Sequence, residues 1–128
     1  MKKILIIGGG AMGSAFTVPC LENNNSVTIT EPYSKVFIRN LSSKNKYHSA
    51  LKINLSKKLR FKKFSDNLLR EKFDLIVIAL SLSGIDYIGN QLRNLKILST
   101  KSWNDSSKKY VLILYIANTA RNIATYLS

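Results

Sequence analysis

Residues 2–13, KKILIIGGGAMG, leave few folds open to this chain. Two lysines precede four consecutive apolar residues, Ile4 to Ile7, and so short an apolar run reads as a strand buried on both faces in a parallel sheet. Gly8, Gly10 and Gly13 follow in G-x-G-x-x-G spacing. In that spacing the first glycine permits a tight turn, the second lets backbone approach a pyrophosphate, and the third lets the next helix pack close to the strand. A helix opening there turns unpaired N–H groups and its positive dipole end toward one spot, which holds an anion without any charged side chain. The pattern predicts a dinucleotide site if an acid ends the second strand, where it can accept from the adenosine ribose. Val27-Thr28-Ile29-Thr30 reads as that strand, and Glu31 ends it 31 − 8 = 23 positions after Gly8, against about 20 expected. The competing reading is a glycine-rich turn in an unrelated α/β protein, with Glu31 a solvated strand end.

The rest of the chain alternates in the same way. Ser14 to Glu22 is expected to be helical, packing through Ala15, Phe16, Val18 and Leu21, with a kink or early end at Pro19 because proline donates no hydrogen bond and crowds the carbonyl four residues back. Asn23-Asn24-Asn25 forms a turn and Pro32 stops the second strand. Tyr33 to Leu41 is a second helix with Val36, Phe37 and Leu41 on its buried side; Ser42 to Lys52, with His48 inside it, is a polar, basic loop. Residues 57–64, KKLRFKKF, alternate loosely between basic and apolar, as an outer strand or a basic patch does. Phe61 and Phe64 could stack on bases, but two aromatics in so short a run fit core anchors better. Ser65 and Asp66 suit the cap of a short helix through Lys72.

Phe73 to Leu80, FDLIVIAL, is the second strongly apolar run and belongs beside the first strand. Its end, Ser81-Leu82-Ser83-Gly84, then faces the ligand, because ligands of such sheets sit beyond the carboxyl ends of the strands. Ile85, Ile88, Leu92 and Leu95 form a helical stripe. A polar loop with Trp103 and Asp105 leads to a last central strand, Tyr110 to Ala117, and Asn118 or Thr119 can cap a final helix packed through Ala120, Ile123, Ala124 and Leu127. The expected class is α/β: a Rossmann-type, doubly wound, mostly parallel sheet with helices on both faces, in a single domain of 128 residues.

Charge and composition narrow the function. Twenty basic residues against seven acidic give +13, a surface attractive to nucleic acid or anionic lipid. Fifteen of those twenty are lysine, and the chain carries 12 Asn and 14 Ile, the signature of an A+T-rich coding sequence. Compositional drift plus attraction for a phosphorylated ligand is therefore favoured over a nucleic-acid role. One cysteine, Cys20, forms no internal disulfide, and with one histidine it builds no zinc cluster. Neither Cys20 nor His48 is expected to be catalytic, and no metal is expected. No apolar run approaches the length of a membrane span and the N-terminus has no signal-peptide pattern, so the expected location is cytoplasmic.

Four segments, GGGAMGSAFTVP, VTITEP, NKYHSALKINL (Asn45 to Leu55) and FDLIVIALSLSG, resemble in that order the N-terminal domain of NAD(P)-dependent glycerol-3-phosphate dehydrogenase. The resemblance covers roughly residues 1–98; the glycine motif alone is shared with ketopantoate reductases and other two-domain dehydrogenases. It implies hydride transfer between a nicotinamide cofactor and dihydroxyacetone phosphate, giving sn-glycerol 3-phosphate for phospholipid synthesis. Carried over by position, Gly8, Gly10, Ala11, Met12 and Gly13 cradle the pyrophosphate, Tyr47 lies near the cofactor, and Ser81 borders the nicotinamide half. Glu31 reads the adenosine ribose; its charge repels a 2′-phosphate and so favours NAD over NADP.

The chain also departs from that family. The strand matching Tyr110 to Ala117 ends there in a Lys-Gly whose lysine polarises the substrate, whereas this chain reads Ile116-Ala117-Asn118-Thr119. The family's helical C-terminal domain, with a second catalytic lysine and the substrate-phosphate contacts, has no counterpart before Ser128. A truncated cofactor domain with little or no turnover of its own is therefore expected, taking a phosphorylated substrate only if that domain is supplied, with no catalytic residue assigned and its oligomeric state open. The alternatives are a non-catalytic dinucleotide-binding or regulatory module, another two-domain dehydrogenase such as ketopantoate reductase, and a basic nucleic-acid or membrane-surface binder on the same scaffold.

Overall fold

A computed structural model describes residues 1–95 and 110–113. The elements run β1 (Lys3–Ile7), α1 (Ala11–Glu22), β2 (Ser26–Thr30), α2 (Lys35–Ser42), β3 (Tyr47–His48), β4 (Ile53–Asn54), β5 (Arg60–Phe61), α3 (Asp66–Arg70), β6 (Leu75–Ile78), α4 (Leu82–Asn94) and β7 (Tyr110–Ile113). Five strands form one sheet in the order β5-β2-β1-β6-β7, and every pairing in it is parallel. Ile7 pairs with Thr30 on one side and Ile78 on the other, so the carboxyl ends of β1, β2 and β6 finish level. The chain moves outward from β1 through β2 to β5, then returns to β6 on the far side of β1. That reversal opens a crevice above β1, the place where doubly wound sheets bind their ligands.

Side-chain alternation along the strands sorts the core into two layers. Leu5, Ile7, Ile76 and Ile78 meet α3 and α4 through Leu68, Leu69, Ile85, Ile88 and Leu92. Ile4, Ile6, Val27, Ile29 and Val77 meet Cys20 of α1, Leu41 of α2, and Leu55 and Leu59. Helices thus cover both faces; Ile4 to Ile7 of β1 and Leu75 to Ile78 of β6 are apolar throughout because neither face meets water, while β2 also buries Thr28 and Thr30. Each of these fully buried Leu and Ile side chains contributes about 1.5–3 kcal/mol. Phe61 and Phe64 pack against the two layers and act as anchors.

Several expectations change in detail. α1 begins at Ala11 and runs past Pro19 to Glu22 without ending at the proline, and Ala15 and Pro19 are both exposed. Its buried stripe is Gly13, Ser14, Thr17 and Cys20. Ala15 and Val18 point outward, and only Phe16 and Leu21 of the expected packing set are even partly buried. The reason is proximity: α1 lies too close to β1 for large side chains between them. α2 starts after Ser34, whose hydroxyl accepts from Phe37 N–H at 3.2 Å. Leu41 is buried, Phe37 half-buried, and Val36 exposed. Ser34→Ala should lower stability by about 1 kcal/mol, the usual worth of such a cap, measurable by thermal unfolding.

Ser65 caps α3 by accepting from Leu68 N–H at 3.1 Å, and that helix ends at Arg70. The expected loop 42–52 instead contributes to an antiparallel ribbon, pairing Tyr47 with Asn54 and His48 with Ile53. Trp103, Asp105, the strand residues after Ile113 and the final helix lie outside the described residues. Among the described residues no helix is long and apolar enough to cross a membrane.

Candidate functional site

The glycine turn is built by exclusion of side chains. Gly8 has φ +122°, a conformation that L side chains rarely adopt, and a methyl group there would press on the Ala79 carbonyl, 2.8 Å from its carbon. Gly8 N–H donates to Thr30 O at 2.8 Å, tying the turn to the end of β2. At Gly13 a methyl would strike the backbone of Gly8, 3.1 Å from its carbonyl carbon, so this glycine sets the close approach of α1. Gly10 is different: a methyl there would meet only the Phe37 ring, at an ordinary 3.6 Å. Packing within the protein does not require glycine at that position.

Gly10 caps α1 with extended backbone and no side chain, and its carbonyl accepts Ser14 N–H at 2.9 Å. The N–H groups of Ala11, Met12 and Gly13 open the helix and have no acceptor within it. Ala11 and Met12 are exposed at this end of the helix, and Gly10 is half-buried beside the Phe37 ring. No acid stands in the first turn to neutralise the positive end. The arrangement can hold an anion.

Glu31 lies beside this turn but is not a free carboxylate. It is 5% exposed. Oε1 accepts from Gly9 N–H at 2.7 Å, and Oε2 accepts from Tyr33 N–H at 2.8 Å and Ser34 N–H at 3.0 Å. A carboxylate offers about four acceptor positions, so one remains, on Oε1. The acid expected to read a ribose therefore also braces the loop.

His48, read from the sequence as a loop residue, is fully buried. Its Nε2 lies 2.7 Å from the Gly9 carbonyl oxygen, and Nδ1 accepts from Leu51 N–H at 3.2 Å. The second bond assigns the tautomer: Nδ1 carries the lone pair, so Nε2–H donates to Gly9. The ring stacks on Phe37 with centroids 5.2 Å apart and planes 16° from parallel. Gly9 O also accepts from Ser14 Oγ at 2.9 Å. Nothing in the sequence announces these contacts, since the partner is a backbone carbonyl 39 positions away.

The remaining expected residues fall around the rim. Tyr47 precedes His48 on the ribbon and is half exposed; its side chain makes no hydrogen bond or ring contact among the described residues. Ser81 is exposed at the start of α4, just after Ala79 and Leu80, which lie against Gly8. Tyr33 reaches from the end of β2 to α4, meeting the Tyr87 ring edge-on at 6.2 Å and facing Gly84. Partial burial pushes the Tyr33 phenol up, with Tyr87 and the Glu31 carboxylate adding to the effect, so at neutral pH it is a hydrogen-bond donor. Burial likewise pushes the Cys20 thiol up, which keeps it protonated and unreactive. Among the described residues no cluster of His, Cys, Asp and Glu could hold a metal.

Similarity to known proteins lies in the fold. No family model matches the chain, and no curated protein matches its sequence. D-mandelate dehydrogenase, solved with NADH and anilino(oxo)acetate, is similar with TM-score 0.59 and 18% identity over 97% of this chain and 36% of its own. A protein from Enterococcus faecalis assigned as a 2-dehydropantoate 2-reductase gives 0.57 and 23% over 88% of this chain and 33% of its own. The 2-dehydropantoate 2-reductase of Methylococcus capsulatus gives 0.53 and 16% over 98% and 37%. The chain thus spans about a third of the length of these structures. It shares with them an α/β, Rossmann-type fold.

Proposed function

We propose that this chain is the nicotinamide-dinucleotide-binding part of a cytoplasmic oxidoreductase, taking NAD in preference to NADP. The observation that carries the reading is the turn from Gly8 to Gly13: open amides at a helix mouth above the crevice, with Glu31 fixed to Gly9 at its side. The absence of any internal need for glycine at position 10 supports it, because close backbone approach of a diphosphate supplies one. Gly8, Gly10, Ala11, Met12 and Gly13 would hold the diphosphate, the remaining acceptor of Glu31 a ribose hydroxyl, and Tyr47 and Ser81 would border the ligand. The fold neighbour solved with NADH is consistent with this ligand class. A nicotinamide bound here would supply the hydride; the chain's own part is to bind and orient it and to exclude water.

For the substrate, the four sequence segments favour glycerol-3-phosphate dehydrogenase chemistry. The second reading is a reductase of the 2-dehydropantoate type, favoured by two of the fold neighbours. Because Ile116-Ala117-Asn118-Thr119 supplies no lysine to polarise a carbonyl, these 128 residues alone should not turn over dihydroxyacetone phosphate.

Calorimetric titration with NADH and NADPH tests the proposal. NADH should bind more tightly by about tenfold, because a 2′-phosphate would bring like charge against the Glu31 carboxylate. Tighter binding of NADPH would overturn the preference and point to Lys35; binding of neither would overturn the cofactor reading. Affinity should also fall less steeply with salt than nucleic-acid binding does, since neutral amides rather than lysines make the contacts.

A further inference from the structure

We propose that His48 is a positioning residue for the cofactor loop, setting the direction of the Gly10 N–H before any ligand arrives; this role rests on the dinucleotide reading of the site. Glycine has the greatest backbone freedom of any residue, and three glycines in succession, Gly8 to Gly10, would by themselves sample many orientations. Gly9 sits in the middle of the three, and both of its backbone groups are held by side chains. Its N–H donates to Glu31 and its carbonyl accepts from His48 and Ser14.

The peptide unit joining Gly9 to Gly10 is planar and trans, so the Gly9 C=O and the Gly10 N–H point in opposite directions. Fixing the carbonyl on His48 therefore fixes the N–H on the other side. The Gly10 N–H has no acceptor among the described residues, and it stands beside the open amides of Ala11 and Met12. Ordering this donor during folding removes the entropy cost from the binding step, the general route by which a preformed site gains affinity.

The ring is itself held on several sides. Phe37 of α2 stacks on it, and Leu51 N–H fixes its tautomer. The ribbon that carries it closes through Lys52 N–H to His48 O at 2.7 Å and Leu55 N–H to Lys46 O at 2.9 Å. Ser49 binds the Asn40 side chain through both N–H and Oγ, at 2.8 and 2.9 Å, which joins the ribbon to α2. The ribbon between α2 and β5 is thus a brace whose inner tip reaches the loop through one imidazole N–H.

Three substitutions in the full chain test the role: His48→Leu, His48→Gln and His48→Asn, each titrated with NADH by calorimetry and melted thermally. A glutamine amide nitrogen can stand where Nε2 does, whereas that of asparagine stands near Nδ1 and falls short of Gly9. His48→Leu should weaken NADH by about tenfold, the worth of one buried hydrogen bond to the loop. His48→Gln should restore most of that affinity and His48→Asn should not, although both are amides of similar polarity. If His48→Leu binds NADH as tightly as the unaltered chain does, the role is overturned while the cofactor reading stands. If all three variants lose affinity in step with their melting temperatures, His48 only supports the fold and the role is likewise overturned. Failure of the unaltered chain to bind NADH overturns the cofactor reading, and the role with it.

Discussion

Gly8→Ala should cost about 4 kcal/mol of folding free energy, the range expected when a methyl is forced into backbone at a left-handed φ. At φ +122° the new side chain would be strained wherever it pointed, and here it points at the Ala79 carbonyl at the end of β6. That atom belongs to the central sheet, where Ala79 N–H donates to Ile7 O at 2.8 Å, so relief requires β1 and β6 to separate. Gly13→Ala should be of similar severity, because its methyl strikes the Gly8 backbone and can be accommodated only by lifting α1 off the strand. Total stability of a domain this size is about 5–15 kcal/mol, and the melting temperature should fall by about 15 °C. Gly10→Ala is the control. Its methyl meets Phe37 at 3.6 Å, so stability should change by less than about 1 kcal/mol. NADH affinity should nevertheless drop if the diphosphate lies where we propose, because the methyl would occupy that surface. Thermal unfolding beside calorimetric titration separates these outcomes; equal melting of Gly8→Ala and Gly10→Ala would refute the account of the turn.

Glu31→Ala is expected to lose both stability and ligand. Three amides, from Gly9, Tyr33 and Ser34, share this carboxylate at 2.7 to 3.0 Å. Each bond to a charged acceptor is worth about 1.5–3 kcal/mol, less when partners overlap, so the combined loss should be about 4 kcal/mol. Glu31→Gln divides the effect. Its one carbonyl oxygen can keep Tyr33 and Ser34, while its NH₂ group is turned toward the Gly9 N–H, two donors facing each other. Stability should then fall by about half as much, while Gly9 is released and NADH weakens at least tenfold. Denaturant unfolding gives the first quantity and titration the second. A Glu31→Gln variant that binds NADH normally would show that the contact to Gly9 is irrelevant to the loop.

What could be read from the sequence depended on whether the partner of a residue leaves a trace in the chain. The strand of Ile4 to Ile7 was legible because a strand buried on both faces is apolar throughout, and Gly8 and Gly13 because a left-handed φ and the close approach of α1 admit no side chain there. The stripe Ile85, Ile88, Leu92 was legible because the face it covers is wide and apolar. α1 was misread on its packing side because its tight approach selects Gly13, Ser14, Thr17 and Cys20, and small residues carry no hydrophobic period. The ribbon was missed because strands of two residues each are too short to alternate. His48 is not legible for a related reason: it binds a backbone carbonyl, which leaves no trace in residue type. Glu31 was placed correctly at the end of β2, but its bonds to three amides were not foreseeable, since those amides belong to whichever residues the turn brings near.

The two residues of β5, Arg60 and Phe61, end the sheet among the described residues, and Arg60 donates to the Ser26 hydroxyl across it. Lys57, Lys58 and Lys63 flank that short strand, with Lys62 beside them paired to Glu71 at 2.9 Å, and the whole stretch 32–65 carries ten basic residues and no acid. A second copy of the protein adding itself there, strand against strand, would have to bring its own row of cations against this one. So short a rim offers few backbone bonds to offset that repulsion. Charge repulsion of this kind would oppose edge-to-edge pairing at β5, so that a sheet ending there would tend not to extend into a neighbouring copy.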